Sequence, residues 1–330
     1  MKFSFVIPAK NEERAMSLCI RSILSQDYNN MVEIIVIDDY STDNTATVAK
    51  QNGAMLIVPD LPSGRTTRAH NKNLAIQYCS GDYIIFLDAH IILPSKKWLR
   101  KVANFIKSNN LHLVSAPAIP PPELTPLLNI FDPKEIKEIL LSLIIIKKSQ
   151  HFFGGCMIIS RETLIELGGF PEIPASEDIA LYKRATSYGM NYMFLPELWV
   201  WHLDEKLRSI KCWVKRNLKE GFYSCAYGLK YVSSDKVGIV YSVLLGLSIL
   251  GLLLWSVSWI FLISLLSLIL IWHSYWALQA VKYTKVSLTF MLFLILTESA
   301  QAFLIRISSM VGIATHLILK LASALKLHRG

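Results

Sequence analysis

Apolar runs alternate with amphipathic stretches along the first two thirds of the chain. Runs typical of buried strands cover residues 3–7, 33–37, 55–58, 83–87 and 156–160. Apolar positions with helical spacing cover residues 12–26, 43–52, 71–79 and 177–188, and a further helix starts at Arg161. Strands that alternate with short helices predict an α/β domain with a mostly parallel, doubly wound sheet over residues 1–205. The proline cluster from Pro117 to Pro126 predicts a loop.

The last third of the chain has a different pattern. Residues 237–281 contain no Asp, Glu, Lys or Arg. As one helix they would be about 68 Å long, whereas the hydrocarbon core of a bilayer is about 30 Å thick. The pattern therefore predicts two transmembrane crossings, at about 237–255 and 258–280. The apolar stretch 287–319, interrupted by Glu298 and Arg306, predicts a third.

A basic segment, residues 206–236, lies between these two parts. It carries eight Lys or Arg side chains and two acidic ones, and contributes much of the net charge of +9. Because cationic flanks stay on the cytoplasmic side of a membrane, the segment places the preceding domain in the cytoplasm. Apolar residues at helical spacing, such as Trp213 and Phe222, indicate an amphipathic helix in the headgroup region. An ordinary surface helix packed on the domain is the alternative, and nucleic-acid binding is not needed to explain the charge.

Candidate metal ligands follow the strand at residues 83–87. Asp88 and His90 lie on the same side of an extended chain at its carboxyl end, where open α/β sheets bind ligands. Both could reach one divalent cation; a capping Asp beside an exposed His is the alternative. His202, after another strand-like stretch, would complete an Asp/His/His set that suits Mn²⁺ better than Mg²⁺. The five cysteines have no spacing that indicates a zinc site or a disulfide framework.

Further charged groups end predicted strands or begin predicted helices. Asp38 and Asp39 follow the second strand and could accept hydrogen bonds from a pyrimidine or a ribose. Arg68, with Arg65, lies in a loop that could supply charge to a phosphate or remain solvated. Asp178 opens a predicted helix, where the helix dipole favours an ionised carboxylate, as a general base requires. A capping role there would not exclude catalysis.

Five motifs in series carry a resemblance to a known family. They lie at residues 5–13, 36–43, 73–83, 86–90 and 168–181. In this order they resemble glycosyltransferase family 2, over about residues 3–205. The resemblance implies a GT-A fold, a UDP- or GDP-linked sugar donor, a divalent cation (Mn²⁺ or Mg²⁺) and inversion at the anomeric carbon. The usual Asp-x-Asp of the family is here Asp-x-His, at Asp88 and His90.

The resemblance also assigns roles to individual residues. Asp178 would deprotonate the acceptor hydroxyl, Asp39 would contact the nucleotide base, and His202 would be a later metal ligand beside Asp88 and His90. The nucleotide-sugar site would comprise Pro8, Glu12, Asp39, Arg68, Asn73 and Asp88.

Together these features predict a membrane-anchored enzyme of bacterial or archaeal type, with its catalytic domain in the cytoplasm. We expect it to transfer a sugar to a lipid-linked or glycan acceptor at the cytoplasmic face of the cell membrane. A nucleotidyltransferase would need a Gly-rich basic loop after the first strand, which residues 8–12 do not provide. A catalytically inactive membrane scaffold or glycan-binding subunit is the remaining alternative.

Overall fold

The computed structural model describes residues 1–30, 32–61, 67–119, 154–173 and 177–203, together with the single residue 267. Within these residues, no helix is both long and apolar enough to cross a bilayer. The basic segment 206–236, the predicted crossings in 237–330 and Arg65 lie outside the described residues. Predictions about them remain predictions.

A seven-stranded sheet forms the centre of the described domain. Its strands, in the spatial order β3-β2-β1-β4-β8-β6-β9, are β1 (Phe3–Ala9), β2 (Val32–Asp38), β3 (Met55–Ile57), β4 (Tyr83–Leu87), β6 (Leu113–Ser115), β8 (Cys156–Ser160) and β9 (Tyr192–Phe194). All neighbours pair in parallel except at β8, which runs antiparallel to both β4 and β6. This confirms the predicted α/β fold with a mostly parallel sheet.

A smaller three-stranded sheet has the order β5-β10-β7. Its strands are β5 (Ile91–Ile92), β7 (Ala118–Ile119) and β10 (Val200–His202). β10 pairs antiparallel with β5, so that His202 lies opposite Ile91. The pairing brings the end of the described domain next to the chain that leaves β4.

Helices cover both faces of the large sheet. They are α1 (Glu13–Leu24), α2 (Thr45–Gln51), α3 (Arg68–Ile76), α4 (Trp98–Asn109), α5 (Arg161–Glu166) and α6 (Glu177–Ser187). Alternate residues of β1 point to opposite faces: Phe5 packs in the apolar cluster of α1, α2 and α4, and Val6 in that of α3, α5 and α6. The cysteines among the described residues, at 19, 79 and 156, are buried free thiols.

Several boundaries differ from the predicted ones. β1 continues through Pro8 to Ala9. Its pairing with β4 ends at Val6, so the N–H that Pro8 lacks would have had no partner on β4. α3 begins at Arg68 rather than Asn71, because the Thr67 side chain caps it by accepting from the His70 N–H at 3.1 Å.

The sequence prediction assigned no element between residues 91 and 116. The structure has helix α4 and strands β5 and β6 there. The α4 helix packs through a buried stripe at Trp98, Leu99, Val102, Ala103 and Ile106, which is the spacing of an amphipathic helix. Between the prolines predicted to form a loop, the two residues of β7 pair with β10.

Hydrogen bonds close the edge of the large sheet where β1 and β4 begin. The Ser4 hydroxyl donates to Glu33. The Gly81 N–H donates to Ser4 Oγ at 2.8 Å, and the Ser80 N–H donates to Glu33 Oε1 at 2.6 Å. A Cβ at Gly81 would lie 2.6 Å from Ser4 Oγ and 2.7 Å from Ser4 N. The turn into β4 therefore requires glycine.

We predict that Gly81→Ala lowers the free energy of unfolding by about 1–3 kcal/mol, the usual cost of overpacking. Urea denaturation measures the change. The control is Gly189→Asn: Gly189 has φ +75° and nothing within 4 Å of an added Cβ, and asparagine tolerates this left-handed conformation. Equal stabilities of Gly81→Ala and the unmodified chain would contradict the packing argument.

Candidate active site at the carboxyl edge of the sheet

The topology of the large sheet brings the predicted site residues to one edge. The parallel strands β1, β2 and β4 all end there, and the Asp39 N–H donates to the Ala9 carbonyl at 2.8 Å. The reversed strand β8 begins at the same edge. The Asp88 N–H donates to the Gly155 carbonyl at 3.0 Å. Ligand sites of open α/β sheets lie at this edge.

Asp88, His90 and His202 form a cluster at this edge, with one ligand atom of each lying within 4.8 Å of the others. A turn closed by the Ile91 N–H and the Asp88 carbonyl, at 2.9 Å, holds the first two. The Leu203 N–H donates to the His90 carbonyl at 2.8 Å and fixes the third. The sequence prediction brought these three residues together, and the structure places them together.

The chemistry of the cluster fits a divalent cation. The Nε2 atoms of His90 and His202 face each other at 3.2 Å. Two nitrogen ligands about 2.1 Å from one ion, at a right angle, lie about 3 Å apart. Two imidazoles and a carboxylate supply nitrogen and oxygen ligands of the kind that bind divalent metal ions. A cation between the rings would be bound by both Nε2 atoms.

Glu12 supports this cluster from the start of α1. Its Oε1 lies 3.4 Å from His90 Nδ1. A carboxylate on one ring nitrogen fixes the tautomer and leaves the other nitrogen available as a ligand. The backbone N–H of Glu12 donates to Thr45 Oγ1 at 2.7 Å, which ties the residue to α2. The resemblance assigned Glu12 to the nucleotide-sugar site; the structure places it behind a candidate metal ligand.

Asp178 lies near the same edge, at the first turn of α6. Its Oδ1 accepts from the Ile179 N–H at 2.8 Å. A Cβ added at Gly154 would lie 1.8 Å from Asp178 Oδ2, and one added at Gly155 would lie 3.1 Å from Asp88 Oδ2. Two consecutive glycines thus run between the candidate base and the candidate metal ligand. Any side chain at Gly154 would displace Asp178.

A buried ion pair stands beside Asp178. Lys72 Nζ lies 2.9 Å from Glu177 Oε1, and both side chains are less than a tenth exposed. Burial favours the neutral form of Glu177, but the Lys72 charge and hydrogen bond outweigh it and lower the pKa of Glu177. Removing one partner of such a pair would leave an uncompensated charge, at a cost of about 3–5 kcal/mol.

Asp178 differs from Glu177 in the direction of its shift. Burial raises the pKa of Asp178; the Lys72 charge opposes this and the Glu177 carboxylate adds to it. A carboxyl group with a raised pKa is a better proton acceptor at neutral pH than an ordinary one. The arrangement therefore equips Asp178 to take a proton from a bound hydroxyl.

The loops after β1 and β2 carry the predicted nucleotide-binding carboxylate. Asp39 is buried, and its Oδ2 accepts from Lys10 Nζ at 3.2 Å. Tyr40 has a left-handed backbone, with φ 55°, and its hydroxyl donates to the Pro59 carbonyl at 2.9 Å. Non-glycine residues rarely adopt this conformation, which costs about 1–3 kcal/mol and is concentrated at functional sites.

The remaining predicted residues have different surroundings. Pro8 lies in β1 near this edge, paired with Ile37. Arg68 is exposed at the start of α3, and its charge contributes to the lowered pKa of Glu177. Asn73 uses its amide on Phe170, donating to the carbonyl at 2.9 Å and accepting from the N–H at 2.7 Å. Its nucleotide contact remains a prediction, while its observed contact ties α3 to the chain before α6.

Sequence reasoning missed Lys72, the supporting position of Glu12 and the two glycines. The Lys72 position had a signal: it shares helical spacing with Ala69 and Ala75, which are buried, so the lysine had to point inwards. Gly154 and Gly155 precede a predicted strand, but nothing local indicated which side chains they approach. That contact depends on tertiary structure.

Comparison with known proteins identifies a family and a shared fold. The model of the family described as Glycosyl transferase family 2 matches residues 4–168. A mannosyltransferase from Pyrobaculum calidifontis, solved with GDP-Man and Mn²⁺, is 20% identical and shares the fold, with a TM-score of 0.53 over 71% of this chain and 65% of that one.

Two curated relatives match shorter stretches. The Escherichia coli protein UDP-Glc:alpha-D-GlcNAc-diphosphoundecaprenol beta-1,3-glucosyltransferase WfgD is 32% identical over 109 residues, which is 32% of this chain and 42% of the relative. The Staphylococcus aureus poly(ribitol-phosphate) beta-N-acetylglucosaminyltransferase TarS is 28% identical over 113 residues, covering 33% and 20%. The chain thus aligns with less than half of the length of either protein.

We predict that His90→Ala and His202→Ala each weaken Mn²⁺ binding by more than about tenfold. Even partners behind a metal ligand contribute about 10–100-fold, so Glu12→Gln should cost that much through His90. Calorimetric titration with Mn²⁺ measures the affinities. The control is His112→Gln, because His112 accepts from the Asn191 N–H at 3.1 Å and has no part in the cluster. Unchanged affinity in both alanine variants would remove the metal-site assignment.

Proposed function

The chain belongs to glycosyltransferase family 2, and from that premise we propose that it transfers a sugar from a UDP- or GDP-linked donor to a hydroxyl acceptor, in a metal-dependent reaction that inverts the anomeric carbon. One observation carries the proposal: the cluster of Asp88, His90 and His202 and the carboxylate of Asp178 lie at the same edge of the sheet, with Gly154 and Gly155 between them. A site with a cation cluster on one side and a proton acceptor on the other suits this chemistry.

Each side of the site has a separate task in this proposal. Asp178 takes the proton of the acceptor hydroxyl as that oxygen attacks the anomeric carbon, and the nucleoside diphosphate leaves from the opposite face. Asp39, the residue after β2, contacts the nucleotide. Asp88, His90 and His202 would hold a divalent cation, with Mn²⁺ favoured, which when bound neutralises charge on the diphosphate.

The acceptor in this proposal is lipid-linked, presented at the cytoplasmic face of the membrane. The sequence supports it through the basic segment 206–236 and the uncharged stretch 237–281. The name of the Escherichia coli relative, which specifies a UDP-sugar donor and a diphosphoundecaprenol-linked acceptor, supports the same class. A glycan acceptor without a lipid is the alternative. An inactive scaffold would bind the donor without releasing a nucleoside diphosphate.

A donor screen tests the proposed reaction. Purified full-length chain is incubated with Mn²⁺ and UDP-glucose, UDP-N-acetylglucosamine or GDP-mannose, and release of nucleoside diphosphate is measured with and without EDTA. We expect metal-dependent release with at least one donor. Binding of a donor without any release, with water or with a lipid-linked acceptor, would favour the inactive subunit instead.

We predict that Asp178→Asn retains donor binding but loses at least about 10²-fold in turnover, the lower end for loss of a general base. Since the raised pKa of Asp178 belongs to the group that must be ionised, turnover should fall as pH decreases through that raised value. Asp178→Asn should lack this acid limb. A variant that turns over at the unmodified rate would place the base elsewhere.

We predict that replacing the cations Lys211, Lys215, Arg216 and Lys219 by Gln weakens binding of fragment 1–236 to vesicles containing anionic lipid. The expected loss is about 1 kcal/mol per charge near the surface, and it should shrink as salt is raised. The control replaces four exposed lysines of the described domain: Lys50, Lys97, Lys101 and Lys107. If fragment 1–236 does not bind anionic vesicles, the basic segment serves only to set the membrane topology.

A further inference from the structure

Lys72 is a buried cation that the proposed reaction does not use. It lies in α3, and its ammonium group contacts Glu177 Oε1 at 2.9 Å and lies 4.9 Å from the centre of the Phe170 ring. Phe170 is itself held by the amide of Asn73. Consecutive residues of α3 therefore fix both the chain before α6 and the first residue of α6.

The position of this ion pair indicates a role other than stabilising the fold. A buried ion pair is weak evidence for stability, because the desolvation of two charges consumes most of the attraction between them. Glu177 directly precedes Asp178, and a contact that fixes the first turn of α6 also fixes the Asp178 backbone. The Lys72 charge is close enough to act on both carboxylates.

We propose that Lys72 is a positioning residue for the reaction: through Glu177 it sets the first turn of α6, and its charge favours the ionised form of Asp178. This inference rests on the proposed function, in which Asp178 is the proton acceptor. Lys72 touches neither donor nor acceptor in this role.

Charged and polar groups of α3 and α6 act on Asp178. Lys72 of α3 favours the ionised form, and so does the Ile179 N–H of α6; Glu177 and burial disfavour it. Further groups act on Asp178 indirectly, through Glu177 or Lys72. Arg68 favours ionised Glu177. Burial lowers the pKa of Lys72, but Glu177, Asp178 and, to a smaller extent, Asp88 raise it by more. Lys72 is the positive side chain in this set that acts on Asp178 directly.

The test uses a variant that keeps the shape of the pair and removes both charges, Lys72→Met with Glu177→Gln. Lys72→Met alone would leave Glu177 buried and uncompensated, so its failure to fold would not be informative. Lys72→Arg keeps the charge and should retain the behaviour of the unmodified chain in part. The matched control is Arg100→Met with Asp27→Asn, another pair at 2.8 Å, which is half exposed and belongs to α4 and the chain after α1.

The first measurement needs no substrate. The melting temperatures of the full-length chain and of Asp178→Asn are compared from pH 4 to 8, in the original background and in the uncharged-pair background. The pKa of Asp178 is raised in the folded chain, so as pH rises the unfolded chain loses this proton before the folded chain does. Over that pH range the unmodified chain becomes less stable relative to Asp178→Asn. This loss of stability ends at the pKa of Asp178 in the folded chain.

In the uncharged-pair background, loss of the Lys72 charge raises this end point and loss of the Glu177 charge lowers it. Because the Lys72 charge has the larger effect on the pKa of Asp178, the end point should still move up, by up to about 1 pH unit, equivalent to at most a tenfold smaller ionised fraction below it. The control pair should leave the end point unchanged. If the end point does not move up, the Lys72 charge does not outweigh the Glu177 charge at Asp178 and the proposal is wrong.

The second measurement is nucleoside diphosphate release from UDP-glucose, UDP-N-acetylglucosamine and GDP-mannose, as a function of pH. We expect the acid limb of kcat in the uncharged-pair variant to move up by the same amount, with KM for the donor little changed. An acid limb that stays in place while Asp178→Asn is inactive would overturn the role of Lys72 and leave the base assignment intact. Full activity of Asp178→Asn would instead overturn the proposed function.

Discussion

Two carboxylates can share one edge of this sheet because no side chain stands between them. The chain that enters β8 passes Asp178 and Asp88 as Gly154 and Gly155, and a single methyl group on Gly154 would occupy the position of the Asp178 carboxylate. The reversed direction of β8 makes this possible, since it brings the beginning of that strand to the edge where its neighbours end. A backbone without side chains therefore runs between the candidate base and the candidate metal ligand Asp88.

The same closeness creates an electrostatic problem. Glu177 and Asp178 are adjacent acidic groups at this edge, and burial by itself favours protonation of both. The described site meets the problem with buried Lys72 and with histidines rather than a second aspartate beside Asp88. Neutral imidazoles add ligand atoms without adding negative charge.

The sequence predicted those parts of the site that follow from local pattern. Asp88, Asp39 and Asp178 sit at the ends or beginnings of elements with clear periodicity, and parallel strands bring such ends to one edge. The sequence could not show that Glu12 lies behind His90 or that Asn73 holds Phe170, because these contacts join segments far apart in the chain. The strands β5 and β7 of the smaller sheet were equally out of reach, because two residues have no measurable period and both strands exist only through their pairing with β10.

The smaller sheet gives the cation cluster a consequence for the whole domain. His202 lies more than a hundred residues from Asp88, and Glu12 comes from near the beginning of the chain. An ion held by Asp88, His90 and His202 would close a long loop, in the manner of a reversible cross-link, and such closures remove more entropy from the unfolded chain than short ones do. By mass action, a higher concentration of free metal would then increase the stability of the contact between the end of the described domain and its core.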